Sequence, residues 1–297
     1  MTSKKSDYSD LWAYLEGNRE AIERELKSSV PSAPPEVGTL FNEAAAHVLF
    51  SGGKRLRPVL TLLGCEIVGG RPDSVLPAAV AAEFIHTSSL IFDDLPCMDN
   101  APERRGVEAV HERFGEGLAV LVGLAFLSDA YGLISKCDES SPQAQAMAIG
   151  EMVQCIGPHG MIGGQAVDLA MACSDGSVRA SEEIRNLKTS ALMRLTLVVG
   201  AILGGGTPGQ LESLRRFSIL LGEAYQLSDD ILDLAEDSAI FSGVNRPLGL
   251  QEGIEGLRDA LQSKVAQAKA GLADSFPQST ARTCLLQLAD YLCERES

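Results

Sequence analysis

Aromatic side chains make up only 5% of this 297-residue chain, and Trp occurs once. Long alternations of Val or Ile with polar residues are missing too. Together these exclude a strand-rich core and favour close-packed helices rich in Ala, Leu and Gly. Cations are scarce: 25 Lys and Arg face 40 Asp and Glu, a net charge of −15. That balance excludes nucleic acid as a partner. Any anionic ligand needs locally gathered cations to overcome the global field. The seven cysteines contain no CxxC pair and no Cys–His ligand set. An odd, unpatterned count reads as reduced thiols in a cytoplasmic protein. The N-terminal MTSKKSDYSD lacks an apolar signal core. The longest apolar run, 117–134, is broken by Ser128 and Asp129 and holds Gly117, Gly123 and Gly132. It reads as a buried central helix rather than a stable membrane insertion. There is no internal repeat, no GxxxxGK[ST] phosphate loop and no GxSxG nucleophile elbow.

What remains is a succession of helical periods separated by Gly, Pro and Ser. The spacing predicts helices over 8–28, 38–51, 56–69 and 75–95. A loop follows at 96–106, with a short helix near 107–114. Further helices are expected over 117–134, 143–156, the second half of 157–171, 181–203, 208–235, 251–273 and 278–295, with a loop at 236–250. The fold class is all-α, a single large helical bundle occupying 1–297 as one domain.

Two aspartate clusters interrupt this apolar helical text: Asp93, Asp94 and Asp99 in DDLPCMD, and Asp229, Asp230 and Asp233 in DDILD. Like charges crowded on a helix repel, and buried unpaired carboxylates cost far more. Six acids set among Leu, Ile and Ala therefore call for a cation. Mg²⁺ suits them, because it takes carboxylate oxygens and shares its shell with water and phosphate. In the second cluster, Asp229 and Asp233 lie along one helical face and Asp230 flanks it. In the first, Asp99 lies about 240° beyond Asp93 on an ideal helix. Pro96 removes a donor and disfavours helix before it, so the chain can bend there and return Asp99 to Asp93.

Three basic groups could receive phosphate: Lys54, Arg55 and Arg57 beside Gly52 and Gly53; Arg104 and Arg105; and Lys188 beside Thr189. Glycine permits close approach, and Arg donates forked hydrogen bonds. His86 lies two helical turns before Asp93 and could donate to a phosphate; spacing alone allows a satisfied core histidine equally well. Acids plus cations imply a substrate set carrying two phosphate-bearing groups.

The chain resembles the trans-isoprenyl diphosphate synthases, or polyprenyl synthetases, of the geranylgeranyl and farnesyl diphosphate synthase type. The resemblance rests on GGKRLRP at 52–58, EFIHTSSLIFDDLPCMDN at 83–100, ERRG at 103–106, GGQAVDL at 163–169, KTSAL at 188–192 and YQLSDDILD at 225–233. It implies the isoprenoid synthase bundle with a central active-site cavity, a homodimer, and Mg²⁺ at three ions per site. It implies a prenyltransferase that joins isopentenyl diphosphate to an allylic diphosphate. Carried over, Asp93, Asp94, Asp99 and Asp229 are metal ligands, and Asp230 and Asp233 support them directly or through water. Lys54, Arg57, His86 and Arg105 would hold isopentenyl diphosphate. Arg104, Lys188, Thr189 and Gln226 would hold the allylic diphosphate, with Gln165 near the metal waters. Asp93, Asp94, Asp99, Lys188 and Asp229 form the catalytic set. The residues that limit product length in the family correspond to Ser88 and Ser89, both small, and Phe84 is the nearest bulky floor. The expected product is longer than farnesyl diphosphate, namely geranylgeranyl diphosphate.

Three departures stand out. The family's lysines after the second acid motif are absent from EDSAIFSGVNRPLGL at 236–250, where Arg246 is the sole cation. The family's Gly-Asp in the central helix reads Gly123–Leu124, and its His before the first motif is Phe92. A non-elongating subunit of a heteromeric synthase and a terpene cyclase on the same fold are the alternatives. The cyclase has no use for GGKRLRP and RRG, and both intact acid motifs argue against the subunit.

Overall fold

The structure, a computed structural model, describes residues 8–172, 187–240 and 248–294, and within them every side chain except those at 35, 172, 187, 233, 235–240 and 248–252. The described elements are helices: α1 (Ser9–Ser29), α2 (Leu40–Leu49), α3 (Leu56–Ile67), α4 (Leu76–Asp94), α5 (Val110–Phe114), α6 (Glu116–Ile134), α7 (Pro142–Ile156), α8 (Met161–Ala172), α9 (Leu187–Leu203), α10 (Pro208–Ile240), α11 (Leu248–Ser275) and α12 (Thr280–Glu294). Between α4 and α5 lies one antiparallel hairpin, β1 (Glu103–Arg104) with β2 (Val107–Glu108). The all-α expectation holds. The expected 181–186 part of α9 lies outside the described residues.

The chain divides into two compact units. One comprises Leu15–Gly150 and Val199–Gly205. Its centre is the packing of α4 on α6, where Phe84 and Phe126, both fully buried, meet edge to face at 5.0 Å. The two sequence departures meet on these helices. The Phe92 ring lies where a Cβ on Gly123 would come within 2.9 Å of it, while Leu124 is exposed. Glycine leaves the space that the aromatic ring takes. The expectation that 117–134 forms a buried central helix needs correction. α6 buries Ala119, Val122, Gly123, Phe126 and Ala130 but exposes Val120, Leu121 and Leu124. Apolarity all round the helix hid this asymmetry from a periodicity reading.

The other unit comprises Met1–Tyr14, Glu151–Val198 and Gly206–Ser297. Here α10 packs on α11, with Lys264 bound to Glu223 at 2.6 Å. Trp12 and Tyr8 stack edge-on against Tyr291 of α12. Glu151 of α7 receives Arg194 of α9 at 2.5 Å and Arg215 of α10 at 2.9 Å, so one carboxylate ties three helices. The two guanidinia hold Glu151 below the usual carboxylate range, against the opposing pull of its burial.

Two loops differ from expectation. α10 continues to Ile240 and α11 starts at Leu248, so 236–240 and 248–250 are helical rather than the expected loop, and the remainder of that stretch, 241–247, lies outside the described residues. The loop at 96–106 contains the first strand of the hairpin, and the helix expected from 107 starts only at Val110. The hairpin turn is Arg105–Gly106, both at positive φ (56° and 77°), the pattern of a type I′ turn. Arg at its first position is an uncommon choice, and no sequence rule selects it.

Candidate active site

The first acid cluster closes as the proline argument requires. α4 ends at Asp94, and Leu95 takes φ −58°, ψ 151°, the extended conformation expected before Pro96. The chain then doubles back. The Asp99 amide donates to the Asp93 carbonyl at 2.9 Å, and the Ala101 amide to the Asp94 carbonyl at 3.2 Å. Asp93 is half-buried, Asp94 buried and Asp99 exposed. Asp94 Oδ1 accepts from Arg104 Nε at 3.0 Å and also from Arg104 Nη2. This bond to Asp94 raises the Arg104 pKa, burial notwithstanding. Arg104, expected on the allylic diphosphate, is thus directed onto an acid of the metal motif.

Beside it stands a cationic group. Gly52 and Gly53 take φ of 110° and 131°, and Arg55 takes φ 52°, so the GGKRLR segment turns sharply into α3. Arg105 Nη1 donates to the Gly52 carbonyl at 2.7 Å, and its Nη2 lies 3.4 Å from His86 Nε2. A Cβ on Gly53 would sit 3.0 Å from that guanidinium, so glycine makes room for it. His86 is buried. Burial first, then the charges of Arg57, Arg105, Arg104 and Arg55, push its pKa well below 6.5. A neutral imidazole accepts from Arg105 through Nε2 and keeps its proton on Nδ1. The Arg105 pKa is itself lowered, by burial and by the same crowd of guanidinia, with Glu83 opposing. Crowded guanidinia around a neutral histidine make an anion pocket awaiting charge.

The second unit carries the other residues. On α10, Gln226 Nε2 donates to Asp230 Oδ1 at 3.1 Å, and Asp229 and Asp230 are half-buried. The side chain of Asp233 lies outside the described residues. On α9, Lys188 Nζ donates to Gln165 Oε1 of α8 at 2.6 Å, and Thr189 is half-buried beside it. Glycines set this first turn of α9. A Cβ on Gly164 would lie 2.8 Å from the Lys188 amide nitrogen, and one on Gly222 would lie 2.5 Å from Ser190 Cα.

A family model described as Polyprenyl synthetase matches residues 39–243. The chain belongs to the polyprenyl synthetase family. Among its relatives, geranylgeranyl pyrophosphate synthase 7 of Arabidopsis thaliana is 38% identical, over 97% of this chain and 85% of its own. The heterodimeric geranylgeranyl pyrophosphate synthase large subunit 1 of the same plant is 41% identical over 77% of this chain, which spans 62% of that relative's length. Among solved structures, an FPP/GFPP synthase from Zymomonas mobilis aligns with TM-score 0.82 at 32% identity, covering 96% of this chain and 99% of that one. These likenesses identify the all-α isoprenoid synthase fold.

This polyprenyl synthetase chain has donors that fit Mg²⁺. Among the described residues no three His, Cys, Asp or Glu side chains converge on one point. Mg²⁺ does not require it: one or two carboxylates, waters and substrate phosphates complete its octahedron. Asp93 and Asp99, joined through their backbone and carrying only hard oxygens, meet that requirement. Of the other expected residues, His86 and Arg105 meet directly, and Arg57 acts on His86 through its charge. Lys54 is exposed on the same turn. The sequence placed Arg55 among the cations that could receive phosphate, but the structure turns it onto Glu23, Glu83 and the Leu49 carbonyl instead; Glu83 had no expected role. Glu83 was detectable as a lone acid in PAAVAAEFIHTSSLIF, where a buried charge demands a partner.

Proposed function

We propose that this chain is a Mg²⁺-dependent prenyltransferase that condenses isopentenyl diphosphate with an allylic diphosphate into a longer trans-prenyl diphosphate, geranylgeranyl diphosphate. The observation that carries this reading is the anion pocket of Arg57, Arg105 and neutral His86, gathered next to an acid motif rather than within it. A reaction with one diphosphate has no need of it.

In this reading Lys54, Arg57, His86 and Arg105 hold isopentenyl diphosphate. Lys188, Thr189, Gln226 and Arg104 hold the allylic diphosphate, and Gln165 orients Lys188. Asp93, Asp94, Asp99, Asp229, Asp230 and Asp233 serve three Mg²⁺ ions, Asp94 after exchanging Arg104 for substrate. Bound Mg²⁺ supplies charge neutralisation for the departing diphosphate. The cationic side chains add to it as the allylic C–O bond ionises. The isopentenyl double bond then attacks the allylic carbon, and released diphosphate takes the proton. No side-chain nucleophile is required.

Long product is supported by Ser88, buried and small on α4, with the Phe84–Phe126 pair one turn up the helix. We read 1–297 as one synthase domain, since the family match runs through both compact units. A homodimer is supported by the exposed apolar stripe of α6. A reducing, cytoplasmic setting is supported by the thiols. Cys65, Cys97, Cys137, Cys155 and Cys293 are thiols outside any disulfide, and burial pushes Cys65 and Cys155 up to about 12 and Cys137 to about 11.

The test is incubation of the protein with labelled isopentenyl diphosphate, each allylic diphosphate in turn, and Mg²⁺. Elongated product that EDTA abolishes is expected. Ligand binding without product would mark a regulatory subunit, and hydrocarbon formed without isopentenyl diphosphate a cyclase.

A further inference from the structure

Arg55 sits inside the GGKRLRP motif yet points away from solvent. It is buried, in the left-handed region, at the residue that starts α3. Each of its three nitrogens donates to a separate element. Nε donates to Glu23 of α1 at 2.8 Å, Nη1 to Glu83 of α4 at 2.8 Å, and Nη2 to the Leu49 carbonyl at the end of α2 at 2.8 Å. Burial pulls the Arg55 pKa down, and the bonds and charges of Glu23 and Glu83 carry it above its ordinary value. A left-handed non-glycine residue is unfavourable. Here the side chain makes three bonds to other elements from that conformation, between Lys54 and Arg57 in sequence.

Glu83 does more than close this clamp. It is buried, and its Oε1 serves Arg55 while its Oε2 has no hydrogen-bond partner among the described residues. An unsatisfied buried carboxylate oxygen is costly. Its charge is nevertheless felt by Arg105, whose pKa it raises against burial and against Arg55, Arg57 and Arg104. Glu83 thus stands three residues before His86 as the counter-charge to a crowd of guanidinia that must stay together before any diphosphate arrives.

We propose that Arg55 and Glu83 are the positioning pair of the isopentenyl diphosphate pocket: Arg55 fixes the turn that presents Lys54 and Arg57, and Glu83 holds Arg55 and lets Arg105 remain beside His86. The inference rests on the assignment of Lys54, Arg57, His86 and Arg105 to that substrate.

The experiment is steady-state kinetics on the full chain with each substrate varied separately, alongside thermal melts. Glu83→Gln, nearly isosteric, raises the KM for isopentenyl diphosphate about tenfold, the loss of one charge-assisted bond. It leaves the allylic KM within about twofold. Arg55→Lys keeps the charge but loses the fork, and it moves the same KM the same way. A folded Glu83→Gln enzyme whose isopentenyl diphosphate KM is unchanged or lower, or whose two KM values rise together, overturns the proposal. Should Glu83→Gln fail to fold, Glu23→Gln at the half-exposed end of the clamp carries the test. A selective rise of about threefold supports the proposal, and an equal rise in both KM values overturns it. Arg57→Ala separates the two levels: if it leaves isopentenyl diphosphate KM untouched, the pocket assignment itself is wrong.

Discussion

At His86 two effects push the same way, since burial and four nearby guanidinia both disfavour the imidazolium. The folded-state pKa lies below 6.5, the unfolded value. As pH falls through 6.5 the unfolded chain takes a proton that the folded chain refuses, so stability is full above this pH and declines below it. His86→Gln removes this contribution. Wild type should lose up to ~1 kcal/mol more than the variant for each pH unit below 6.5. Chemical denaturation at a series of pH values reads it, and parallel pH dependences would refute the neutral-histidine assignment. Ser88 gives a second residue-scale expectation. It is buried on α4, between Phe84 and Phe92 on the same stripe, and both aromatics face α6. Ser88→Phe should shorten the product by one or more isoprene units, scored by chromatography of dephosphorylated products. An unchanged product would remove this stripe from the tunnel.

Two elements that carry functional side chains let folding be separated from binding. The Arg105–Gly106 turn needs positive φ at both positions. Asn suits the left-handed region better than Arg, so Arg105→Asn should keep or raise the melting temperature. The same change deletes the guanidinium beside His86 and should raise isopentenyl diphosphate KM at least about tenfold. Loss of stability together with affinity would mean that the turn, not the charge, was altered. On α9, the Gly222 contact leaves no room for a methyl group beside Ser190. Gly222→Ala should cost about 1–3 kcal/mol by overpacking. By shifting the first turn of α9 it should raise allylic KM more than isopentenyl diphosphate KM; the reverse order would dissociate Lys188 and Thr189 from the allylic substrate. Helix positions were legible in the sequence because apolar periods and Gly or Pro breaks report local preference, and Pro96 announced the return of Asp99. The hairpin was not legible, because Arg is an uncommon first residue for a type I′ turn and two-residue strands are too short to show alternation. The Arg55–Glu83 clamp escaped because its three acceptors come from three helices far apart in sequence.

At the scale of the whole molecule, charge and apolar surface oppose each other. A net charge of −15 makes copies of this chain repel. Yet α6 shows water Leu121 at 58% and Leu124 at 50% exposure, with Val120 beside them. The sequence could not announce this stripe, because the helix is apolar on every side and only tertiary packing decides which face stays open. If that face joins two copies, apolar burial must outweigh like-charge repulsion, and salt, by screening the repulsion, should tighten the pair. Light scattering after size exclusion should therefore give a dimer whose dissociation constant falls as salt rises. Leu121→Glu with Leu124→Glu should yield monomers with wild-type helix content by circular dichroism, because neither side chain belongs to the core. The added carboxylates raise the like-charge repulsion that salt screens, so any residual pairing of the variant should still tighten as salt rises. A wild-type chain that stays monomeric in high salt would leave the stripe without a second copy to cover it.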